Sequence, residues 1–84
     1  MLRIEKFEIK NDSIIKFYFN DGSQNQIDFK EFIGDDALSS PLKNPDFFNK
    51  VKLYDGGRGI YWPNEFDFCP DFLAKYSDQS EKVI

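Results

Sequence analysis

Residues 13–19 read Ser-Ile-Ile-Lys-Phe-Tyr-Phe, and Asn20-Asp21-Gly22 follows directly. Ile15, Phe17 and Phe19 fall on one side of an extended chain, and Ile14, Lys16 and Tyr18 on the other. This alternation is the strand signature, and Asp-Gly suits the positive φ angles of a tight hairpin. Residues 23–29 then return with Ser23, Asn25, Ile27 and Phe29 alternating against polar neighbours. Upstream, residues 3–10 carry Ile4, Phe7 and Ile9. The step from Ile4 to Phe7 is odd, so a strand there needs a bulge or twist to keep both on one face. Three antiparallel strands joined as a meander are the expectation.

Strand periodicity breaks at Lys30-Glu31-Phe32-Ile33-Gly34, which reads as one helical turn stopped by glycine. Asp35 to Ser40 is polar and is the best candidate for a flexible loop. From Pro41 to Leu73 the chain is dense with signals. Asn44-Pro45 is a helix entry, because Asn caps and Pro at the first helical position loses no hydrogen bond. The spacing predicts a short helix over 45–50 with Phe47 and Phe48 inward, and Asp46 suits its positive end. Residues 51–54 and 59–62 read as a second hairpin turning at Asp55-Gly56-Gly57-Arg58. Trp62-Pro63-Asn64 ends the returning strand, since Pro cannot donate to a ladder. Asp67 or Cys69-Pro70 opens a last short helix to about Tyr76, with Phe72, Leu73 and Tyr76 on one face. Residues 77–84 are polar and are expected to fray. The predicted class is α+β: one domain over residues 1–84, with a small antiparallel sheet, a short helix, a second hairpin and a short C-terminal helix.

Composition narrows the function. Eighty-four residues bury a modest core. One Trp, four Tyr and ten Phe compensate, because each large ring buries much area. The formal charge is −4 and the basic residues are scattered, Lys50, Lys52 and Arg58 coming closest to a group. That argues against direct nucleic-acid binding, which needs a basic patch to displace counterions. An acidic domain can instead steer a basic protein toward itself. One cysteine excludes an intrachain disulfide and fits a reducing compartment. No apolar run reaches membrane-spanning length, and the first ten residues are too charged for a signal peptide. The expected location is the cytoplasm of a prokaryote-like cell, away from membranes.

The chain contains no histidine, so the commonest general base and metal ligand is missing. Cys69 lacks an activating partner and reads as a small buried hydrophobe. The segment from Asp55 to Gly59 is glycine-rich, but it joins two strands rather than feeding a helix, and so reads as a hairpin turn rather than a phosphate cradle. Glu65, Asp67 and Asp71 crowd near Trp62 without calcium-loop spacing, and read as solvated or capping carboxylates. No catalytic, cofactor-binding or metal-binding residue is expected, and the chain is not expected to be an enzyme. Trp62 has two readings. It plugs the rim of the core, or it anchors a protein interface, where Trp is enriched. Tyr61 lies on the opposite face of the strand, so one of the two rings should be less buried.

The order of these signals resembles the small bacterial family known as domain of unknown function 2442. The matching elements are Phe19 with Asp21-Gly22, Ile27-Asp28-Phe29, Pro41-Leu42, and Asp46-Phe47 with Val51. Gly59, Ile60, Trp62, Pro63 and Asn64 follow, then Asp67, Pro70, Asp71 and Leu73. The resemblance runs from Ile4 to Tyr76, and Trp-Pro-Asn with the following Asp and Pro-Asp is its most specific part. Two positions depart from the pattern. Glu65 stands where Gly usually follows Asn, at a place that often tolerates positive φ. Gly56-Gly57 replaces a more usual Asp-Pro connection. The resemblance implies an α+β fold with a three-stranded N-terminal sheet, a short helix, further strands and a C-terminal helical turn. It also implies an antitoxin-like or regulatory binding role, because members neighbour small toxin-like proteins and some are fused to a helix-turn-helix domain. It implies no catalytic residues. The leading expectation is a protein-interaction module for a small basic, toxin-like partner, with Tyr61, Trp62, Pro63, Asn64, Glu65, Asp67 and Asp71 as candidate surface. The alternative is a structural homo-oligomer, such as a dimer paired through edge strands.

Overall fold

The first sheet is the predicted meander. In the computed structural model, which describes residues 1–76, strands β1 (Ile4–Ile9), β2 (Ile14–Phe19) and β3 (Gln24–Asp28) lie antiparallel in that order. The bulge demanded by the Ile4–Phe7 spacing is present. Ile4 pairs with Phe19 and Lys6 with Tyr18, leaving Glu5 as the extra residue. Ile4 and Phe7 thereby both face the side where Phe17 and Phe19 are buried. Between β2 and β3, Phe19 N–H donates to Ser23 O at 2.9 Å and Gly22 N–H donates to Phe19 O at 3.0 Å. Gly22 alone in this loop has a positive φ, +87°. This is the three-residue hairpin loop in which a turn is closed by one residue in the left-handed region.

Beyond β3 the chain makes a 3₁₀ turn, Phe29–Phe32. Asp28 caps it by accepting from Lys30 N–H at 3.0 Å, and its carboxylate also accepts from the buried Ser13 hydroxyl at 2.8 Å. The segment expected as a flexible loop is internally hydrogen-bonded. The Asp36 carboxylate accepts from Leu38 N–H, Ser39 N–H and the Ser39 hydroxyl, and Ser39 Oγ accepts from Gly34 N–H. Asp35 pairs with Lys43 at 2.7 Å. A second 3₁₀ turn, Ser40–Lys43, leads to helix α1 (Pro45–Phe48), shorter than the predicted 45–50. Asn44 caps α1 by accepting from Asp46 N–H at 2.9 Å, as the Asn-Pro signal implies.

The second hairpin is larger than predicted. Strands β4 (Lys52–Leu53) and β5 (Ile60–Tyr61) are joined by β6 (Asp67–Phe68) to make a second three-stranded antiparallel sheet. Asp67 is thus a strand residue, and helix α2 (Pro70–Lys75) starts at the Cys69-Pro70 signal instead. The β5–β6 connection repeats the β2–β3 turn. Trp62 N–H donates to Phe66 O at 2.9 Å and Glu65 N–H to Trp62 O at 2.8 Å, and Glu65 has φ +73°. The expected fraying of residues 77–84 lies outside the described residues.

The two sheets share one aromatic core. Phe29, fully buried, meets Phe17, Phe48, Trp62 and Phe68 with ring centroids 5.2–6.2 Å apart, all near edge-to-face. Such pairs add roughly 0.5–1.5 kcal/mol beyond their burial. A second tie is backbone on backbone. Gly57 has φ +72°, and a Cβ there would stand 2.2 Å from the carbonyl oxygen of Ile4. Only glycine lets this turn approach the bulged end of β1 so closely.

Candidate functional site

Register sets the outer face of the second sheet. Lys52 pairs with Tyr61, and Tyr61 with Asp67. Directly paired residues share a face, so a cation, a ring and a carboxylate stand in one row across three strands. The adjacent row, Leu53–Ile60–Phe68, packs toward the core. Tyr54, just past β4, lays its ring on Tyr61 with centroids 4.5 Å apart and planes 25° from parallel. Its hydroxyl donates to Asp67 Oδ2 at 2.8 Å. That bond and the carboxylate's charge hold the Tyr54 phenol above the ordinary tyrosine value, with partial desolvation and the nearby Glu65 acting in the same direction.

An open depression of about 550 Å³ lies here, lined by Leu53, Tyr54, Asp55, Tyr61, Glu65 and Asp67. A smaller one of about 250 Å³ lies beside it, lined by Lys50, Lys52, Tyr61 and Pro63. Tyr61 belongs to both. The larger hollow combines ring surface with three carboxylates, which suits a guanidinium or ammonium group: the ring attracts the cation and the carboxylates accept its hydrogen bonds. Among the described residues, no group of histidine, cysteine, aspartate or glutamate is arranged to hold a metal ion.

The expected surface residues separate. Tyr61, Glu65 and Asp67 meet in the larger hollow, and Pro63 lines the smaller one. Trp62 does not belong to the surface. It is fully buried, its Nε1–H donates to Phe48 O at 2.9 Å, and its ring packs on Phe29, Phe48, Phe66 and Phe68. Strand alternation turns Trp62 inward and Tyr61 outward, so the core reading of Trp62 holds. Asn64 is a brace: its amide donates to Leu38 O at 2.9 Å and its carbonyl accepts from Phe66 N–H. Asp71 is exposed in the first turn of α2 and lines neither hollow. Cys69, expected to be buried, is exposed, because its place at the N-cap of α2 turns it away from the core.

Tyr54, Asp55, Lys50 and Lys52 were outside the sequence-derived set. Their signal was positional. Once β4 and β5 are paired about the Asp55–Gly57 turn, Lys52 and Tyr54 fall on the same face as Tyr61.

No curated protein and no solved structure matches the chain. Among the described residues, no helix is long and apolar enough to cross a membrane. Residues 4–79 match the family described as protein of unknown function (DUF2442). That span covers the meander, the shared aromatic core and the Tyr54–Tyr61 face alike, and the chain belongs to that family.

Proposed function

We propose that this domain is a protein-interaction module whose Tyr54–Tyr61 face takes a cationic segment of a small basic partner. The observation that carries the reading is the stacked tyrosine pair set among Asp55, Glu65 and Asp67 in an open hollow. Tyrosine supplies rigid contact area at low entropic cost, and carboxylates beside it favour arginine or lysine. The net charge of −4 adds long-range attraction for such a partner. Neutralisation of a small basic toxin-like protein in a bacterial cytoplasm is the form of this role that the family resemblance suggests. The alternative, a homo-oligomer paired through sheet edges, has weaker support, because edge strand β1 carries exposed Glu5, Lys6, Glu8 and Lys10, charges that blunt an edge.

The test is capture of a basic protein from lysate of the source cell, run in parallel with Tyr61→Thr and Glu65→Lys. Recovery of one stoichiometric basic protein by the native domain, lost with both variants while their melting curves stay cooperative, is expected. Equal recovery by native and variant domains would show that this face is not the contact.

A further inference from the structure

Resting on the interaction-module reading, we infer that the partner segment is bipolar: a cation at one end, an apolar residue at its centre and a carboxylate at the other. The row Lys52–Tyr61–Asp67 runs across the sheet from positive to negative. Lys50 extends its positive end, and Glu65 with Asp55 its negative end. Neighbouring strands stand about 4.8 Å apart, so two spacings separate the ends of the row by about 10 Å at the backbone.

The charges in this row are not neutralised at home. Among the described residues the ion pairs are Lys10–Glu8 and Lys43–Asp35, and neither involves Lys50, Lys52, Asp55, Glu65 or Asp67. Asp67 accepts a hydrogen bond from Tyr54 but has no cationic partner. Lys50, Lys52, Asp55 and Glu65 are all exposed. Both hollows share Tyr61, so one ligand lying across that ring reaches both ends. A purely basic segment fits the carboxylate end and meets Lys50 and Lys52 with like charge at the other. Like-charge juxtaposition is a common way for an interface to reject wrong partners. The face thereby selects a charge pattern in addition to a net charge.

The probes are two synthetic peptides, acetyl-Arg-Ala-Leu-Ala-Glu-amide and acetyl-Arg-Ala-Leu-Ala-Arg-amide, titrated into isotopically labelled domain at low salt. Amide shifts of residues 52–54 and 61–67 are followed. In an extended peptide the first, third and fifth side chains share a face and span the row. Exposed charge pairs are worth little each, so the bipolar peptide is expected to bind roughly three- to tenfold tighter than the basic one. Lys50→Glu with Lys52→Glu should reverse that order. Equal or tighter binding of the basic peptide to the native domain would overturn the inference and leave the cationic-partner reading standing. Failure of both peptides to shift the Tyr54 and Tyr61 amides would overturn it as well, and the capture experiment then decides separately whether the face binds a partner at all.

Discussion

Replacing Glu65 by glycine should stabilise the domain. Glu65 is the only non-glycine residue with positive φ among the described residues, at +73°. A side chain there costs about 1–2 kcal/mol from the clash of Cβ with the backbone. Glycine removes that strain but adds unfolded-state entropy of about 0.4–1 kcal/mol. The net expectation is a gain of about 0.5–1 kcal/mol. For a domain of this size that raises the melting midpoint by about 2–8 °C. The control is Glu65→Ala, which removes the carboxylate but keeps Cβ, and should stay within about 0.5 kcal/mol of the native protein. Thermal and urea melts of the three proteins decide the matter. If Glu65→Gly melts with or below Glu65→Ala, the strained turn is not what the backbone geometry says it is. The same glycine variant should bind the bipolar peptide more weakly, because a carboxylate has left the hollow. Gain of stability with loss of binding is the pattern of strain retained at a working surface.

Two further outcomes follow from other parts of the molecule. Gly57→Ala places a methyl group 2.2 Å from the Ile4 carbonyl oxygen at φ +72°, and should cost about 2–5 kcal/mol, seen as a collapse of the urea midpoint, whereas Gly22→Ala, with open space around its Cβ, should lose only about 1–2 kcal/mol. Tyr54 has its folded pKa raised by the Asp67 carboxylate, so its contribution is complete below the ordinary tyrosine value and is lost as pH rises through the folded value. Urea midpoints of native and Tyr54→Phe proteins, compared at pH about 9 and about 11, should converge at the higher pH; a constant gap would mean that the Tyr54–Asp67 bond is not the cause.

The meander was legible because its alternation and its Asp-Gly turn agree. Even the bulge at Glu5 followed from the odd spacing of Ile4 and Phe7. The helix entries at Asn44-Pro45 and Cys69-Pro70 were legible for a local reason, since Pro fits only certain positions. Strand β6 was not. Its turn, Pro63-Asn64-Glu65, has the geometry of Asn20-Asp21-Gly22, but the glycine that announces such a turn is absent. Two-residue strands also offer no alternation to detect. The site was half legible for a related reason. Tyr61, Glu65 and Asp67 lie close in sequence, whereas Tyr54 and Lys52 join them only through strand pairing. Reading Cys69 as buried relied on residue type, and cap geometry overrode it.

The contact of Gly57 with Ile4 bears on how this chain opens and closes. Strands of two residues cannot persist in water by themselves, so the second sheet has no independent existence. It is held by the bulged end of β1 and by rings anchored on the first sheet. Its amides should therefore exchange with solvent together with those of β1 and β2, as one cooperative unit rather than as a fraying hairpin. Anything that settles on Tyr54 and Tyr61 is then coupled to the melting of the whole domain. By mass action a ligand at a hundred times its dissociation constant would add about 2.7 kcal/mol to global stability, so a simple melting shift reports occupancy of a face that contains no tryptophan of its own.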